Sequence, residues 1–171
     1  MTTKSEHWDN FARYRLREAY GHALSSTDKS TQNGAIIISK DYGKTIAWGW
    51  NDPVASFTVN DLGFGQHKYD VTEHAERNAI YLAARWGLSL AGTTMVCPWA
   101  ACPDCAKAIV QSGITTLVRH KDAIDKTPER WAEKVSIGDA ILKAGGVDVL
   151  DLEGPVGAPS SIRFDSETFW P

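Results

Sequence analysis

One histidine, one glutamate and two cysteines are the residues of this sequence whose spacing most clearly predicts chemistry. A single residue separates His74 from Glu76, and Cys102 and Cys105 lie three positions apart. Zinc binds imidazole and thiolate, and three protein ligands leave the fourth tetrahedral position open for water, as in catalytic zinc sites. His74, Cys102 and Cys105 therefore predict an open zinc site. Glu76 is the carboxylate placed to accept a proton from water and to return it to a leaving group.

The third cysteine, Cys97, leaves a second interpretation open. The cysteines crowd together, which is unusual for a disulfide framework and typical of metal ligation in a reducing compartment. If Cys97 supplied a fourth ligand, the zinc site would be closed and structural, and Glu76 would be incidental. The gap from Cys97 to Cys102 is not the usual spacing of a zinc knuckle, so we expect Cys97 to pack as a small apolar residue.

The composition is that of a single globular domain that binds a small ligand. The chain has 171 residues, of which 43% are hydrophobic and 23% charged, and its net charge is −3. This length is sufficient for one hydrophobic core. Because no basic block is present, we expect no nucleic acid polymer as partner. Because no apolar run is long enough to span a bilayer and no signal pattern is present, we expect no membrane association and a cytoplasmic location.

Hydrophobic periodicity predicts the elements that must position these residues. Helical spacing occurs in four segments, residues 8–24, 74–86, 103–111 and 128–142, the last with Thr127 before it as a cap and Pro128 at its first helical position. Short strand-like runs occur in five, residues 34–39, 45–50, 93–97, 114–118 and 147–152. The first two runs predict a hairpin, and the later alternation of helix and strand predicts parallel crossovers. We therefore predict an α/β fold, a three-layer α/β/α sandwich around a five-stranded mixed sheet.

The connections between these elements predict where the site lies. Two strand-to-helix junctions place the starts of the second and third helices at one end of the sheet, which would bring His74 to the cysteines. Residues 51–72 show no sustained period and form a loop long enough to overhang a site. Residues 153–171 are rich in proline, glycine and serine and predict a C-terminal surface tail, so we place the domain in residues 1–152.

Two motifs resemble those of a known enzyme family. Residues 74–80 (HAERNAI) and 102–107 (CPDCAK) resemble the zinc-binding motifs of the cytidine and deoxycytidylate (dCMP) deaminase superfamily, most closely dCMP deaminases. The likeness extends over roughly residues 8–152. It implies a cytidine deaminase-like fold, with residues 1–152 as a zinc-dependent deaminase domain. It also implies hydrolytic deamination of the cytosine of a free nucleotide, dCMP giving dUMP and ammonia.

The resemblance also implies roles for residues around the base and the sugar. Asn51 would donate or accept a hydrogen bond at the deoxyribose 3′-hydroxyl, although asparagine at such a turn can also serve only to shape it. Backbone groups at Ala75 and near Ala101 would recognise the amide edge of the pyrimidine. Ala101 stands where the family has proline, a departure that would alter this pocket. Trp99 is the tryptophan that we expect in the pocket wall.

A 5′-phosphate would need polar or basic groups from the neighbouring loops. Residues 26–32 and 66–69 are the loops that we expect to supply them, with Lys29 and Lys68 as the candidate cations. Lysine in a loop is, however, commonly just a solvated charge.

Other functions stay open at this point. The chain could deaminate another base or nucleoside, such as guanine, tRNA adenosine or a modified dCMP. Alternatively, zinc could stabilise a non-catalytic interaction protein. The family resemblance further implies a homo-oligomer, either a dimer or a hexamer.

Overall fold

The structure is a computed structural model that describes residues 4–41, 43–54 and 68–171. Most of the loop expected to overhang the site, and residues 66 and 67 of the expected phosphate loop, lie outside these ranges. Within the described residues, no helix combines the length and the apolar character needed to cross a bilayer.

The described residues form short strands and helices in alternation. The helices are α1 (Lys4–Ala23), α2 (Lys68–Val71), α3 (Ala75–Arg85), α4 (Pro103–Gln111), α5 (Lys121–Ile124) and α6 (Glu129–Ala144). The strands are β1 (Gly34–Ile38), β2 (Thr45–Trp50), β3 (Asp52–Pro53), β4 (Thr72–Glu73), β5 (Thr94–Val96), β6 (Thr116–His120), β7 (Asp148–Leu152), β8 (Ile162–Phe164) and β9 (Glu167–Phe169).

The main sheet has five strands in the order β2-β1-β5-β6-β7. β1 pairs antiparallel with both β2 and β5, which confirms the predicted hairpin, whereas β5, β6 and β7 are parallel. The mixed five-stranded sheet is therefore confirmed. β6 begins two residues later than predicted, because Ile114 follows the positive-φ Gly113 and packs in the core before the strand pairing starts.

Helices cover both faces of this sheet. On one face α3, α4 and α6 bury Ala79, Ile109 and Leu142 against strand residues such as Ile37 and Leu117. On the other face α1 and the C-terminal segment pack against alternate positions of the same strands. Side chains on a strand alternate between faces, so the neighbouring isoleucines of β1 serve both cores. The three-layer α/β/α arrangement follows.

The strand directions bring several chain segments to one edge of the sheet. β2 and β5 are both antiparallel to β1, and β5, β6 and β7 are parallel, so these four strands end at the same edge. Parallel strands joined by helices carry their ligand sites at this edge. The loop before β1, the N-termini of α3, α4 and α6, and the chain after β7 therefore all meet there.

Two glycines allow helices to approach this edge closely. A Cβ atom on Gly49 of β2 would lie 2.5 Å from the Ala75 carbonyl oxygen at the start of α3. A Cβ atom on Gly138 of α6 would lie 2.1 Å from the Ala101 carbonyl oxygen. Both distances are too short for a real Cβ contact, so a side chain at either position would displace backbone next to the site.

The C-terminal segment is not the surface tail that its composition predicted. β8 and β9 form a hairpin, and the segment buries Val156, Ile162, Phe164 and Phe169 in the core beneath α1. The apolar residues are too few and too scattered to give a period, which is why the sequence pattern did not show them. The domain boundary after residue 152 stays a prediction.

A buried hydrogen-bonded chain joins this segment to the rest of the fold. The His120 side chain is fully buried, and its Nε2 lies 3.1 Å from the Gly154 carbonyl oxygen, to which it must donate. Its Nδ1 then accepts from the Tyr20 hydroxyl at 2.7 Å. Burial lowers the pKa of His120, opposed by the Gly154 carbonyl and Asp122 and assisted by Arg13. His120 is therefore neutral in the folded protein.

Acidification should weaken the fold through His120. Because the folded pKa lies below the unfolded value of about 6.5, this stabilisation is complete above that pH and is lost as pH falls towards the folded pKa. The free energy of unfolding, measured in urea from pH 7.5 to 5, should fall by up to ~1.4 kcal/mol per pH unit from this group. His120→Gln keeps a donor for Gly154 and should show a shallower fall. Parallel curves for the two proteins would contradict the prediction.

Gly138→Ala should destabilise the protein although alanine is the better helix former. The added methyl group would overpack the Ala101 carbonyl, at a cost of about 1–3 kcal/mol in the free energy of unfolding. Gly21→Ala is the matched control, because a Cβ atom on that residue of α1 has nothing within 4 Å. That exchange should stabilise the protein by up to ~1 kcal/mol. Equal effects of the two exchanges would show that the close approach of α6 is not constrained.

Candidate active site

Three potential metal ligands converge at the N-termini of α3 and α4. His74 immediately precedes α3 and Cys102 immediately precedes α4, both in extended backbone, and Cys105 lies in the first turn of α4. Their ligand atoms all lie within 4.8 Å of one another. The positive end of a helix dipole favours thiolate, so this placement suits both cysteines.

The spacing of these atoms fits zinc. The Sγ atoms of Cys102 and Cys105 each lie 3.5 Å from His74 Nδ1. Zn–S bonds of about 2.3 Å and Zn–N bonds of about 2.0 Å at a tetrahedral angle place sulfur and nitrogen about 3.5 Å apart. The three side chains can therefore hold one zinc ion with little movement.

The two thiols share a hydrogen bond and do not ionise alike. The bond from Cys105, together with His74, lowers the pKa of Cys102 to about 3. The same bond and burial raise the pKa of Cys105 well above its usual range. Burial lowers the pKa of His74, but hydrogen bonding to Cys102 and the charge of Glu76 outweigh it, so this pKa is raised. These interactions favour the thiolate form of Cys102.

Cys97 lies apart from this group. Its side chain is completely buried after β5, and its Sγ accepts a hydrogen bond from Asn33 Nδ2 at 3.3 Å. Burial raises the pKa of this thiol well above its usual range. Among the described residues, the possible metal-binding group consists of His74, Cys102 and Cys105 without Cys97. This placement agrees with packing rather than ligation.

Glu76 lies in the first turn of α3 and lines the same cleft as His74. Its side chain is 2% exposed, and burial raises its pKa, against the opposing charge of His74. A buried carboxyl group with a raised pKa can both accept and return a proton near neutral pH. Its geometry and environment therefore suit proton transfer.

An ion-pair network fixes the start of α3 beside α4. The Glu73 carboxylate accepts a hydrogen bond from the His74 backbone N–H at 3.0 Å and pairs with Arg77 at 2.5 Å. Arg77 also faces Asp104 of α4 at 3.8 Å. The arginine therefore connects the segment that carries the histidine to the helix that carries the cysteines.

A cleft of about 820 Å³, including its open mouth, contains these groups. The cleft is lined by polar, charged and aromatic residues from several loops and helices: Asp28, Ser30, Thr31, Asn33, Asn51, Lys68, Tyr69, Thr72, His74, Ala75, Glu76, Trp99, Ala100, Cys102, Pro128, Arg130, Trp131, Lys134, Val135 and Phe164.

The structure places some, but not all, of the expected substrate-binding residues in this cleft. Asn51, Ala75, Trp99 and Lys68 line it. Ala101 is buried between the lining residues Ala100 and Cys102, with its carbonyl group against α6.

Lys29 does not line the cleft. Its side chain is exposed, and the same loop presents Asp28, Ser30 and Thr31 to the cleft instead. Lys29 therefore does not face the cleft, because the turn around Asp28 points the neighbouring side chain outward. Its contact with a phosphate stays a prediction.

The Asn51 side chain holds the loop before β1. Its Oδ1 accepts from the Asn33 backbone N–H at 2.7 Å, and its Nδ2 donates to the Thr31 carbonyl at 2.8 Å. A longer contact of 3.3 Å joins Nδ2 to Asp28. Asn51 therefore shapes this wall of the cleft, and the weak contact to Asp28 is the one that a ligand could replace.

Sequence reasoning predicted Trp99 but missed the aromatic and basic residues that distant segments place around it in the cleft: Trp131, Phe164, Arg130 and Lys134. Trp99 packs edge-on against Phe164 of β8 and Trp131 of α6, with ring centroids 5.2 and 6.0 Å apart. Its indole N–H donates to the Thr127 hydroxyl at 3.0 Å. Arg130 and Lys134 of α6 add positive charge to the lining. The helix start at Thr127-Pro128 was visible in the sequence, but its position beside the cleft depends on β6 ending at this edge.

Comparison with known proteins identifies the family. The model of the cytidine and deoxycytidylate deaminase zinc-binding region matches residues 9–121, more than half of the chain. A deaminase of Aliivibrio fischeri is 33% identical over 125 residues, which are 72% of this chain and 81% of that protein. The deoxycytidylate deaminase of Enterobacteria phage T4 is 46% identical over 79 residues, 46% of this chain. This stretch spans only 37% of the phage enzyme.

The fold comparison agrees. The apo crystal structure of the dCMP deaminase from cyanophage S-TIM5 has a TM-score of 0.62 at 25% sequence identity. The match covers 82% of this chain and 95% of the cyanophage chain. The fold, the family match and the motifs around His74 and Cys102 agree, and the chain belongs to the cytidine and deoxycytidylate deaminase family.

Proposed function

We propose that the chain hydrolyses the cytosine amino group of a free nucleotide, converting dCMP and water to dUMP and ammonia. The observation that carries this proposal is the buried Glu76 carboxyl group in one cleft with three ligand atoms spaced for zinc. The phage relative named as a deoxycytidylate deaminase supports the choice of substrate.

Zinc is the proposed cofactor, held by His74, Cys102 and Cys105. When bound, it supplies the Lewis acidity that activates water for attack on the base. The open fourth position follows from the separation of Cys97 from the ligand group.

Glu76 is the proposed proton carrier. The oxygen of water bonds to C4 of the base, and the bond from C4 to the amino nitrogen breaks. Of the two protons of water, one goes through Glu76 to the leaving nitrogen, which departs as ammonia, and the other goes to N3 of the base as the C4 carbonyl forms. Burial in the cleft keeps bulk water from competing for that proton and keeps the carboxyl group close to the reacting atoms.

The other lining residues would orient the ligand. Backbone groups at Ala75 and near Ala101 would hydrogen-bond the amide edge of the base, and Trp99 would form the wall beside it. Asn51 would exchange its long contact to Asp28 for the sugar 3′-hydroxyl. Cations at the mouth of the cleft would attract the phosphate.

The family resemblance supports the oligomeric state, and the charge and hydropathy of the sequence support the other remaining parts of the proposal. We expect a cytoplasmic homo-oligomer, a dimer or a hexamer, whose partner is a small nucleotide and neither a nucleic acid polymer nor a membrane.

Zinc content tests the ligand set. The purified protein should hold about one zinc ion per chain, because the described residues contain one group of three ligand atoms spaced for zinc. His74→Ala and Cys102→Ala should lose most of it, as measured by elemental analysis of folded protein. Cys97→Ala is the matched control and should keep its zinc. Full zinc content in the two ligand variants, or loss in the control alone, would show that the ligand set is wrong.

Turnover of cytosine compounds tests the reaction. Loss of the cytosine absorbance should be much faster with dCMP than with deoxycytidine at matched subsaturating concentration, because a phosphate forms charge-assisted hydrogen bonds. Glu76→Gln should keep zinc and lose activity by roughly 10²–10⁴-fold, the usual contribution of general acid–base catalysis.

Asp148→Asn is the control for this second variant, because it neutralises an exposed carboxylate at the start of β7, at the opposite edge of the sheet from the cleft. It should retain activity near that of the unchanged protein. Equal rates on dCMP and deoxycytidine would direct the assignment to a nucleoside deaminase. Zinc binding without turnover of any cytosine or guanine compound would favour the non-catalytic alternative.

A further inference from the structure

The cations that line the described part of the cleft already have partners within the protein. Lys68 pairs with Asp28 at 2.7 Å, and the ammonium group of Lys134 lies over the Trp131 ring, 5.0 Å from its centroid. The guanidinium of Arg130 pairs with the Asp165 carboxylate through both of its terminal nitrogens. An anionic ligand that binds Lys68 or Arg130 must therefore displace a carboxylate.

The Lys68 pair is part of the loop structure and is poorly suited to such an exchange. The Asp28 side chain is only 7% exposed. Its carboxylate also accepts the backbone N–H groups of Ser30 at 2.8 Å and Thr31 at 3.2 Å. Releasing Lys68 would leave a buried carboxylate with one charge partner fewer, which is costly.

The Arg130 pair differs in position and exposure. Asp165 lies at the tip of the β8–β9 hairpin with a φ of 51°, and its backbone N–H donates to the Thr31 hydroxyl at 3.1 Å. The side chains of Arg130 and Asp165 are 55% and 37% exposed, so solvent and salt screen the pair. The hairpin therefore holds the Asp165 carboxylate against Arg130, a cation that lines the cleft.

The chemistry of the guanidinium favours an exchange of partner. A phosphomonoester presents several oxygens and about −1.5 to −2 charges near neutral pH, and guanidinium binds such groups through paired hydrogen bonds. Asp165 presents one charge in the same geometry. The hydrogen bond from Arg130 lowers the pKa of Asp165, so this carboxyl group is ionised and competes fully.

We propose that Arg130 binds the phosphate of a nucleotide in the cleft and that Asp165 occupies Arg130 in its absence, acting as an internal competitor. This inference depends on the proposed function for the identity of the nucleotide. Asp165 is then a specificity-determining residue, because it reduces affinity for anionic ligands and leaves that for neutral nucleosides unchanged.

Binding of dUMP and deoxyuridine, measured by calorimetry on the zinc-loaded protein, tests this proposal. Asp165→Asn should tighten dUMP binding by about threefold or more, because the competing charge is removed and the phosphate gains the guanidinium. Arg130→Gln should weaken dUMP binding by about tenfold or more. Neither exchange should alter deoxyuridine binding by a comparable factor.

Two further variants separate competition from other effects. Glu167→Gln removes the same charge from an exposed position of the same hairpin and should leave dUMP affinity unchanged. In the double variant Arg130→Gln/Asp165→Asn, the tightening by Asp165→Asn should disappear, since its cause is lost. A merely structural tie between the hairpin and α6 would instead make Asp165→Asn weaken both ligands alike.

Unchanged or weaker dUMP affinity in Asp165→Asn would overturn the proposal, as would an equal gain in Glu167→Gln. The outcome is independent of turnover. If no cytosine compound is deaminated but the variants shift dUMP binding as expected, the proposed reaction fails and the anion site stands. If dCMP is deaminated but the variants do not shift dUMP binding, the proposed reaction stands and the proposed roles of Arg130 and Asp165 fail.

Discussion

Two helix N-termini held side by side at one edge of the sheet are the constraint on which the rest of the site depends. His74 and Cys102 each occupy the last extended position before a helix, so their side chains project where backbone N–H groups are unpaired and the dipole is positive. This environment favours the thiolate form of the cysteines, which is the form that binds a metal cation. Gly49 and Gly138 have no side chain where α3 and α6 approach this region, and the Arg77 pairs hold α3 against α4.

The cleft changes in chemical character from its floor to its mouth. At the floor, Cys105 and the Glu76 carboxyl group are buried, which strengthens the electrostatic interactions that they make there. The wall is aromatic, with Trp99 between rings from α6 and β8. At the mouth, paired charges stay exposed to solvent and salt. A ligand with a planar polar ring and a charged end matches this order.

The C-terminal hairpin joins the two sides of the mouth. It pairs with the loop before β1 through Gln32 and Ser30, and it reaches α6 through Asp165. This hairpin lies outside the residues 9–121 that match the family model. Its contribution to the cleft is thus a feature of this chain beyond the shared motifs, and differences in ligand preference between family members can arise in such segments without any change at the metal ligands.

Local pattern determined much of this protein. The helix starting at Pro103, the β1–β2 hairpin and the parallel crossovers follow from periodicity and turn residues, because these features depend on neighbours along the chain. The chemistry of His74 and Cys102 follows from residue type and spacing together with family motifs, since a metal site requires particular donor atoms.

Only the tertiary structure decided which distant residues surround that chemistry. Arg130 and Phe164 reach the cleft because α6 and the C-terminal hairpin pack around Trp99, and no local pattern contains these contacts between distant segments. Lys29 and Asp28 are neighbours, yet the turn directs the carboxylate inward and the ammonium group outward. A sequence specifies which groups a chain possesses, but side-chain direction and burial depend on packing between segments far apart in the chain, and these decide which groups meet a ligand.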